Sequence, residues 1–274
     1  LKRIIDLGFQ LVQNQKKPII KLPEAKAKGF IVRMETPLPR DKLSFPLNPS
    51  DTAPSCVVLV ATGSFNPPTH MHLRMLELAR DALRSEGYLV IGGYLSPVGD
   101  AYKKPGLIPG RHRLRMCELA SESSDFVMVD PWEINQSTYQ RTLTVLQRVR
   151  TCLIQGDGRR FSEGSLKIML VCGSDFLQSF SIPGFWIREQ VTAICRDFGI
   201  VCIRREGQDV EKIIADDDIL SEYRSNIRVV DELVPNMISS TRVRDCISRG
   251  LSIKYLTADG VIDYVRENHL YLSR

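Results

Sequence analysis

The chain has no G-x-x-x-x-G-K-[ST] stretch and no G-x-G-x-x-G after its first apolar run, so neither a P-loop nor the usual dinucleotide fingerprint carries its chemistry. No apolar run approaches the roughly 20 residues that a membrane span requires, and no signal-peptide core is present. Seven cysteines (56, 117, 152, 172, 195, 202, 246) are odd in number, scattered and without a C-x-x-C pair. That argues against a disulfide framework and a zinc site, and reads as reduced core residues of an intracellular protein. The formal charge is +5, but residues 1–33 alone carry eight Lys or Arg against Asp6 and Glu24, a net of +6 that leaves −1 for the remainder. The globular part therefore lacks the basic footprint of a nucleic-acid binder.

What is present is enough apolar residue, 43% of 274, to bury a sizeable core. Residues 1 to about 50 combine the basic stretch with Pro37, Pro39, Pro46 and Pro49 and show no sustained periodicity, so 1–50 reads as a disordered or extension tail and 51–274 as a single domain. Residues 1–33 contain no Ser, which weakens a transit-peptide reading, and Met34 allows an upstream extension of the reading frame instead.

The stretch Val57 to Leu83 organises the rest. Cys56 to Ala61 is an unbroken apolar run, the pattern of a strand buried on both faces, and Leu73, Leu76, Ala79 and Leu83 recur at helical spacing beyond Gly63-Ser64-Phe65-Asn66-Pro67-Pro68-Thr69-His70-Met71-His72. A strand, a Gly/Pro turn and a helix N-terminus with unpaired N–H groups make a place for a polyphosphate.

Further along, Tyr88 to Leu95 reads as a strand running into the loop Ser96 to Gly106, which carries Lys103 and Lys104 where a parallel sheet presents its ligand crevice. Arg111 to Ser121 predicts a helix with Leu114, Cys117, Leu119 and Ala120 inward, Phe126 to Val129 a short strand, and Asp130 to Glu133 a turn. Thr138 to Cys152 predicts a helix with Tyr139 and Thr142 near its start, and Gln155 to Ser165 a mobile loop. Leu166 to Cys172 is another strand, followed by Gly173-Ser174-Asp175 as a Gly turn with an N-cap pair. Ile200 to Ile203 and Ile227 to Val230 are strands, Asp209 to Leu220 an acidic helix, Ile238 to about Arg249 a helix and Asp259 to Glu267 a terminal one. Such alternation implies an α/β, doubly wound, mostly parallel sheet with a small C-terminal helical part.

Gly63-x-Phe65-x-Pro67-x-Thr69-x-x-His72 resembles the T/H-x-x-H signature of the nucleotidylyltransferases, and Ile238-Ser239-Ser240-Thr241-x-x-Arg244 is similar to their second signature. Ser96 to Leu107, Gly173 to Asp175, Phe185-Trp186 and the Arg205 region resemble the eukaryotic branch of the nicotinamide/nicotinate mononucleotide adenylyltransferase family, over about residues 55–272. The resemblance implies a Rossmann-like fold and in-line attack of the mononucleotide phosphate on the α-phosphorus of ATP, giving NAD or its deamido form and pyrophosphate, with Mg²⁺ bound through ATP.

It also implies roles. His72 hydrogen-bonds the α-phosphate, Gly63, Ser64, Phe65 and Thr69 line the phosphate turn, and Lys104 and Arg244 take phosphate charge. Gly173, Asp175, Asn236, Ser239, Thr241 and Arg242 surround the rest of ATP, while Tyr102, Tyr139, Thr142, Phe185, Trp186 and Arg205 receive the mononucleotide. His70 lies off the motif, and Trp132 reads as packing. The partners implied are ATP and nicotinamide or nicotinate mononucleotide, with no nucleic acid and no membrane, a homo-oligomer allowed, and a location in cytoplasm or nucleus. Two alternatives stay open: transfer to another phosphate acceptor such as pantetheine phosphate or choline phosphate, and a nucleotide-binding chaperone or sensor without turnover.

Overall fold

The computed structural model describes residues 36–44, 55–155, 161, 164–234 and 236–272. Its centre is β1 (Cys56–Gly63), flanked by β2 (Leu89–Pro97) and β3 (Val127–Val129) on one side and by β4 (Leu166–Gly173), β5 (Ile200–Ile203) and β6 (Ile227–Val230) on the other. The order is β3-β2-β1-β4-β5-β6 and every pairing is parallel, so the doubly wound sheet expected from the strand and helix alternation is what forms. Because side chains alternate across a strand, Val58, Val60, Ile168 and Leu170 fill one core while Val57, Leu59, Ala61, Met169 and Val171 fill the other. Burial on both faces is why Cys56 to Ala61 of β1 reads as an unbroken apolar run, and why β4 is apolar from Ile168 to Cys172.

The chain leaves β1 toward one edge and returns through β4 toward the other, which puts the topological switch point between these two strands. Around it stand α1 (His70–Ser85), α2 (Gly110–Ser121), α3 (Thr142–Gln155), α4 (Ser174–Ser179), α5 (Arg188–Ala193), α6 (Val210–Ala215), α7 (Asp218–Glu222), α8 (Ser240–Ser248) and α9 (Asp259–Glu267). Helix α9 packs Val261 and Val265 against Met116 and Ala120 of α2.

Four local expectations are corrected. Helix α3 begins at Thr142, not Thr138, and leaves Tyr139 in the preceding loop, where Gln140 Nε2 donates to Thr138 O and Oγ1 at 3.0 Å and competes with helical bonding. The acidic helix is two pieces, α6 and α7, because Asp217 sits in extended backbone and its carboxylate takes the Ile219 and Leu220 N–H groups, both at 3.0 Å. The inward face of α2 is Arg113, Met116, Cys117 and Ala120, with Leu114 and Leu119 only half-buried.

The fourth correction concerns the tail. Most of it, like most of the 155–165 loop, lies outside the described residues, but residues 36–44 form a strap bound to the sheet. Leu38 and Leu43 are buried, and Leu43 Cδ2 occupies the space a Cβ on Gly92 would need. Tyr94 Oη donates to Pro39 O at 2.6 Å, Arg40 to Cys152 O, and Arg148 Nη2 to Thr36 O at 2.7 Å. Arg148 is itself buried in an ion pair with Asp130 at 2.5 Å. These are side-chain partnerships across long sequence separations, which local periodicity does not encode.

Arg113 fastens the turn after β1 to the loop after β2. Its side chain is 0% exposed, and the guanidinium donates to Ile108 O at 2.9 Å, Ser64 O at 3.2 Å and Asp100 Oδ1 at 2.9 Å. Asp100 Oδ1 also accepts the Gly110 N–H at 2.7 Å. Nearby, Gly99 crosses the 3₁₀ turn Glu133–Asn135 so closely that a Cβ there would stand 2.8 Å from Glu133 O. The buried Glu133 carboxyl accepts a 2.7 Å bond from Ser96 Oγ. Burial raises its pKa to about 7; the Ser96 bond opposes the rise, Asp130 adds to it and Arg113 lowers it.

Two outcomes follow. Arg113→Met strips the Ser64 and Ile108 carbonyls of a donor and should cost about 2–4 kcal/mol, read from the denaturant midpoint. Glu133 binds its proton more tightly folded than unfolded, so it favours folding fully below its ordinary pKa of 4.5, an advantage lost as pH rises through about 7. Glu133→Gln should remove that slope, on the order of 3 kcal/mol, from the stability profile between pH 4.5 and 8; an unchanged profile would refute the assignment.

Candidate active site

The carboxyl ends of β1, β2, β4, β5 and β6 deliver nearly every residue singled out in the sequence. After β1, Phe65 takes a left-handed conformation at φ 45° and buries its ring edge-on against His72, with centroids 5.1 Å apart. Gly63 O accepts the Val98 N–H at 2.9 Å, tying this front turn to the next loop. Thr69 closes the turn in extended backbone, and its N–H donates to His72 Nδ1 at 2.9 Å, with Thr69 Oγ1 2.8 Å from the same nitrogen. An accepting Nδ1 assigns the ring proton to Nε2. Burial first, and the charge of Arg205 second, lower the His72 pKa to about 4, so the ring is a neutral donor at physiological pH. His70, two residues earlier, is exposed.

After β4, the expected N-cap pair does not cap. Gly173 is the N-cap of α4, Ser174 Oγ instead accepts the Arg205 N–H at 3.0 Å, and Asp175 pairs with Arg205 Nε at 3.0 Å. A Cβ on Gly173 would stand 3.0 Å from Asp175 Oδ1 and 3.1 Å from Arg205 Nε, so glycine is what lets this pair close over the strand end. At α8 a side chain does cap: Ser239 Oγ accepts the Arg242 N–H at 3.3 Å.

Arg244 lies across the front turn, its Nη1 donating to Asn66 O at 2.7 Å and its Nη2 to Thr241 Oγ1 at 3.3 Å. Lys104 stands close enough that Arg244, after desolvation, lowers its pKa. Among the described residues Lys104, Arg242 and Arg244 make no ion pair, whereas Asp175 and Glu232, beside them, are each taken up by an arginine at 3.0 and 3.1 Å. An open cleft at the start of α8 is lined by Arg204, Arg205 and Arg242 together with Glu206, Asp231 and Glu232. The charges lining this cleft balance, so it is the neighbouring cations Lys104 and Arg244, with the α8 N-terminus at the sheet switch point, that suit a polyphosphate.

The aromatic residues fall into two groups. Tyr102 and Tyr139 stack on each other, centroids 5.5 Å apart and planes at 28°, with buried Thr142 opening α3 three residues on. Half-buried Trp186 packs edge-on to Phe176, Phe180 and Phe185 and donates from Nε1 to Ser179 Oγ at 3.0 Å, while Phe185 is exposed. Trp132 packs against the core under Arg148, as expected of a packing residue.

Several residues that build the site escaped the sequence reading. Ser240 Oγ donates to Pro67 O at 2.7 Å, buried Thr257 Oγ1 to Pro68 O at 2.8 Å, and His70 N–H to Leu256 O at 3.1 Å, so the C-terminal helical part grips the front turn. Arg113 had a signal, since it shares an i, i+3, i+4, i+7 face with Met116, Cys117 and Ala120. Among the described residues no group of three or more His, Cys, Asp or Glu side chains is placed to hold a metal, and no helix is long and apolar enough to cross a membrane.

Comparison with known proteins agrees with this geometry. A family model described as cytidylyltransferase-like matches residues 60–246. A nicotinamide/nicotinic acid mononucleotide adenylyltransferase of Arabidopsis thaliana is 64% identical over 238 residues, covering 87% of this chain and 98% of its own length. A rice protein of the same description is 60% identical over 87% of this chain and 95% of its own, and a bovine one 41% identical over 79% and 89%. The solved Plasmodium falciparum nicotinic acid mononucleotide adenylyltransferase shares the fold, with a TM-score of 0.53 at 16% identity over 78% of this chain and 97% of that one. On a family match spanning the switch-point turns, and on relatives this similar over nearly their whole length, the chain belongs to the nicotinamide/nicotinic acid mononucleotide adenylyltransferase family.

Proposed function

We propose that the protein transfers the adenylyl group of ATP to nicotinamide mononucleotide and to nicotinate mononucleotide. An oxygen of the mononucleotide phosphate attacks the α-phosphorus in line, the bond to the β-phosphate bridging oxygen breaks, and NAD or its deamido form leaves with pyrophosphate. The observation that carries this reading is the set of cations without carboxylate partners among the described residues, Lys104 after β2 and Arg242 and Arg244 on α8, together with a neutral His72 after β1 at the sheet switch point. Both reactants are anionic, so alignment and charge compensation are what the protein has to supply.

In this reading the Nε2–H of His72 donates to the α-phosphate as charge develops there, with Thr69 fixing the ring. The backbone of Gly63, Ser64 and Phe65 lies along the triphosphate, and Ser239, Thr241, Arg242 and Arg244 receive it from α8. Asn236, Gly173 and Asp175 border the adenosine. Tyr102, Lys104, Tyr139, Thr142, Phe185, Trp186 and Arg205 serve the mononucleotide, whose flat pyridine suits an aromatic face. A divalent cation enters with ATP as part of the substrate, bound through the triphosphate.

The test is a coupled assay for NAD from ATP, Mg²⁺ and nicotinamide mononucleotide, in which absence of product sinks the proposal. His72→Ala should lower kcat about 10²-fold, the size expected for one preorganised donor, while ATP affinity measured by titration changes far less. A variant that turns over at the normal rate would remove His72 from the role.

A further inference from the structure

We infer that Tyr271, beyond α9, is a positioning residue for the mononucleotide, acting through the side-chain amide of Asn66 on the 98–108 loop that carries Tyr102 and Lys104. The inference rests on the function proposed above and adds a residue outside the segment matched by the family model.

Asn66 is 5% exposed, and its amide makes three contacts. Nδ2 donates to Gly106 O at 2.8 Å, Oδ1 accepts from Tyr271 Oη at 2.8 Å, and the Ile108 N–H reaches the same Oδ1 only at 3.5 Å. The loop bonds dictate which way the amide faces. Turned over, its oxygen would meet the Gly106 carbonyl and its NH₂ the Ile108 N–H, two like pairs in a buried place. Tyr271 supplies the short donor that satisfies Oδ1 in the loop-holding orientation. Burial pushes the Tyr271 hydroxyl well above its ordinary pKa, so it keeps the proton it donates.

The tyrosine is itself held in place. Its backbone takes φ 64°, unusual for a bulky residue, and its ring packs with Leu270 against the Met116, Ala120, Val261 and Val265 cluster. Arg244 bonds the backbone oxygen of Asn66, so loss of the tyrosine hydroxyl leaves that contact in place. The loop is thus held through the Asn66 side chain that Tyr271 bonds, and the α8 side through the Asn66 backbone oxygen. This asymmetry separates positioning from general support.

Tyr271→Phe keeps the ring and removes the hydroxyl. It should raise KM for nicotinamide mononucleotide about five- to tenfold, the effect of one hydrogen bond, and leave KM for ATP within about twofold. Asn66→Ala should move the same parameter, and Tyr271→Phe added to it should change nothing further, since the two act in series. Amide hydrogen exchange gives an arm independent of turnover: Tyr271→Phe should speed exchange at Ile108 and its loop neighbours while the β1 amides stay protected. Should the wild-type protein make no NAD, the functional reading fails and the exchange arm still decides this one. Unchanged loop exchange, an equal rise in both KM values, or additive effects of the two substitutions would each overturn the inference.

Discussion

A guanidinium buried at Arg113 holds the two loops that matter. Taking such a cation out of water is expensive, and the return here is three directed bonds that join the turn after β1 to the loop after β2. Those segments leave neighbouring parallel strands in register, Gly63 beside Pro97, and would otherwise diverge over the sheet edge. With them fastened, the phosphate turn and the lysine loop have one geometry between them. The C-terminal helical part completes the enclosure by donating to the carbonyls of Asn66, Pro67 and Pro68 in succession.

Electrostatically the site is divided. Asp175 is taken up by Arg205 and Glu232 by Arg74, while among the described residues Lys104, Arg242 and Arg244 make no ion pair. His72 contributes no charge of its own, because its Nδ1 is occupied by Thr69 and its surroundings disfavour the imidazolium. A neutral donor among cations adds direction without adding further repulsion between like charges. Thr69 therefore acts on the histidine as well as on the helix end, which explains a requirement for both residues three positions apart.

Much of this was legible from residue order. An unbroken apolar run marked β1, helical spacing marked α1, and the placement of motif residues after strands put them at one rim of the sheet. What could not be read were partnerships set by three-dimensional closeness. The strap at 36–44 looked like a proline-rich tail because its bonds go to residues as distant as Arg148 and Cys152. Tyr139 fell outside its helix because Gln140 satisfied Thr138 locally, and Ser174 was drawn from capping to Arg205. Arg113 was hidden for a different reason: an arginine on an apolar face runs against expectation, although its register with Met116, Cys117 and Ala120 placed it inside.

The strap has a bearing on where this protein can be cut. The segment it shares with the broad family spans 60–246, a natural-looking unit for excision. Leu43 lies upstream of that unit and shields Gly92, where β2 has no side chain to cover itself, and Lys42 Nζ reaches the Ser121 and Val127 carbonyls beside edge strand β3. A minimal fragment would thus expose a bare patch of sheet next to an open strand edge, the arrangement that invites edge-to-edge association. The sheet is covered in part by residues that lie upstream of the recognised motif block.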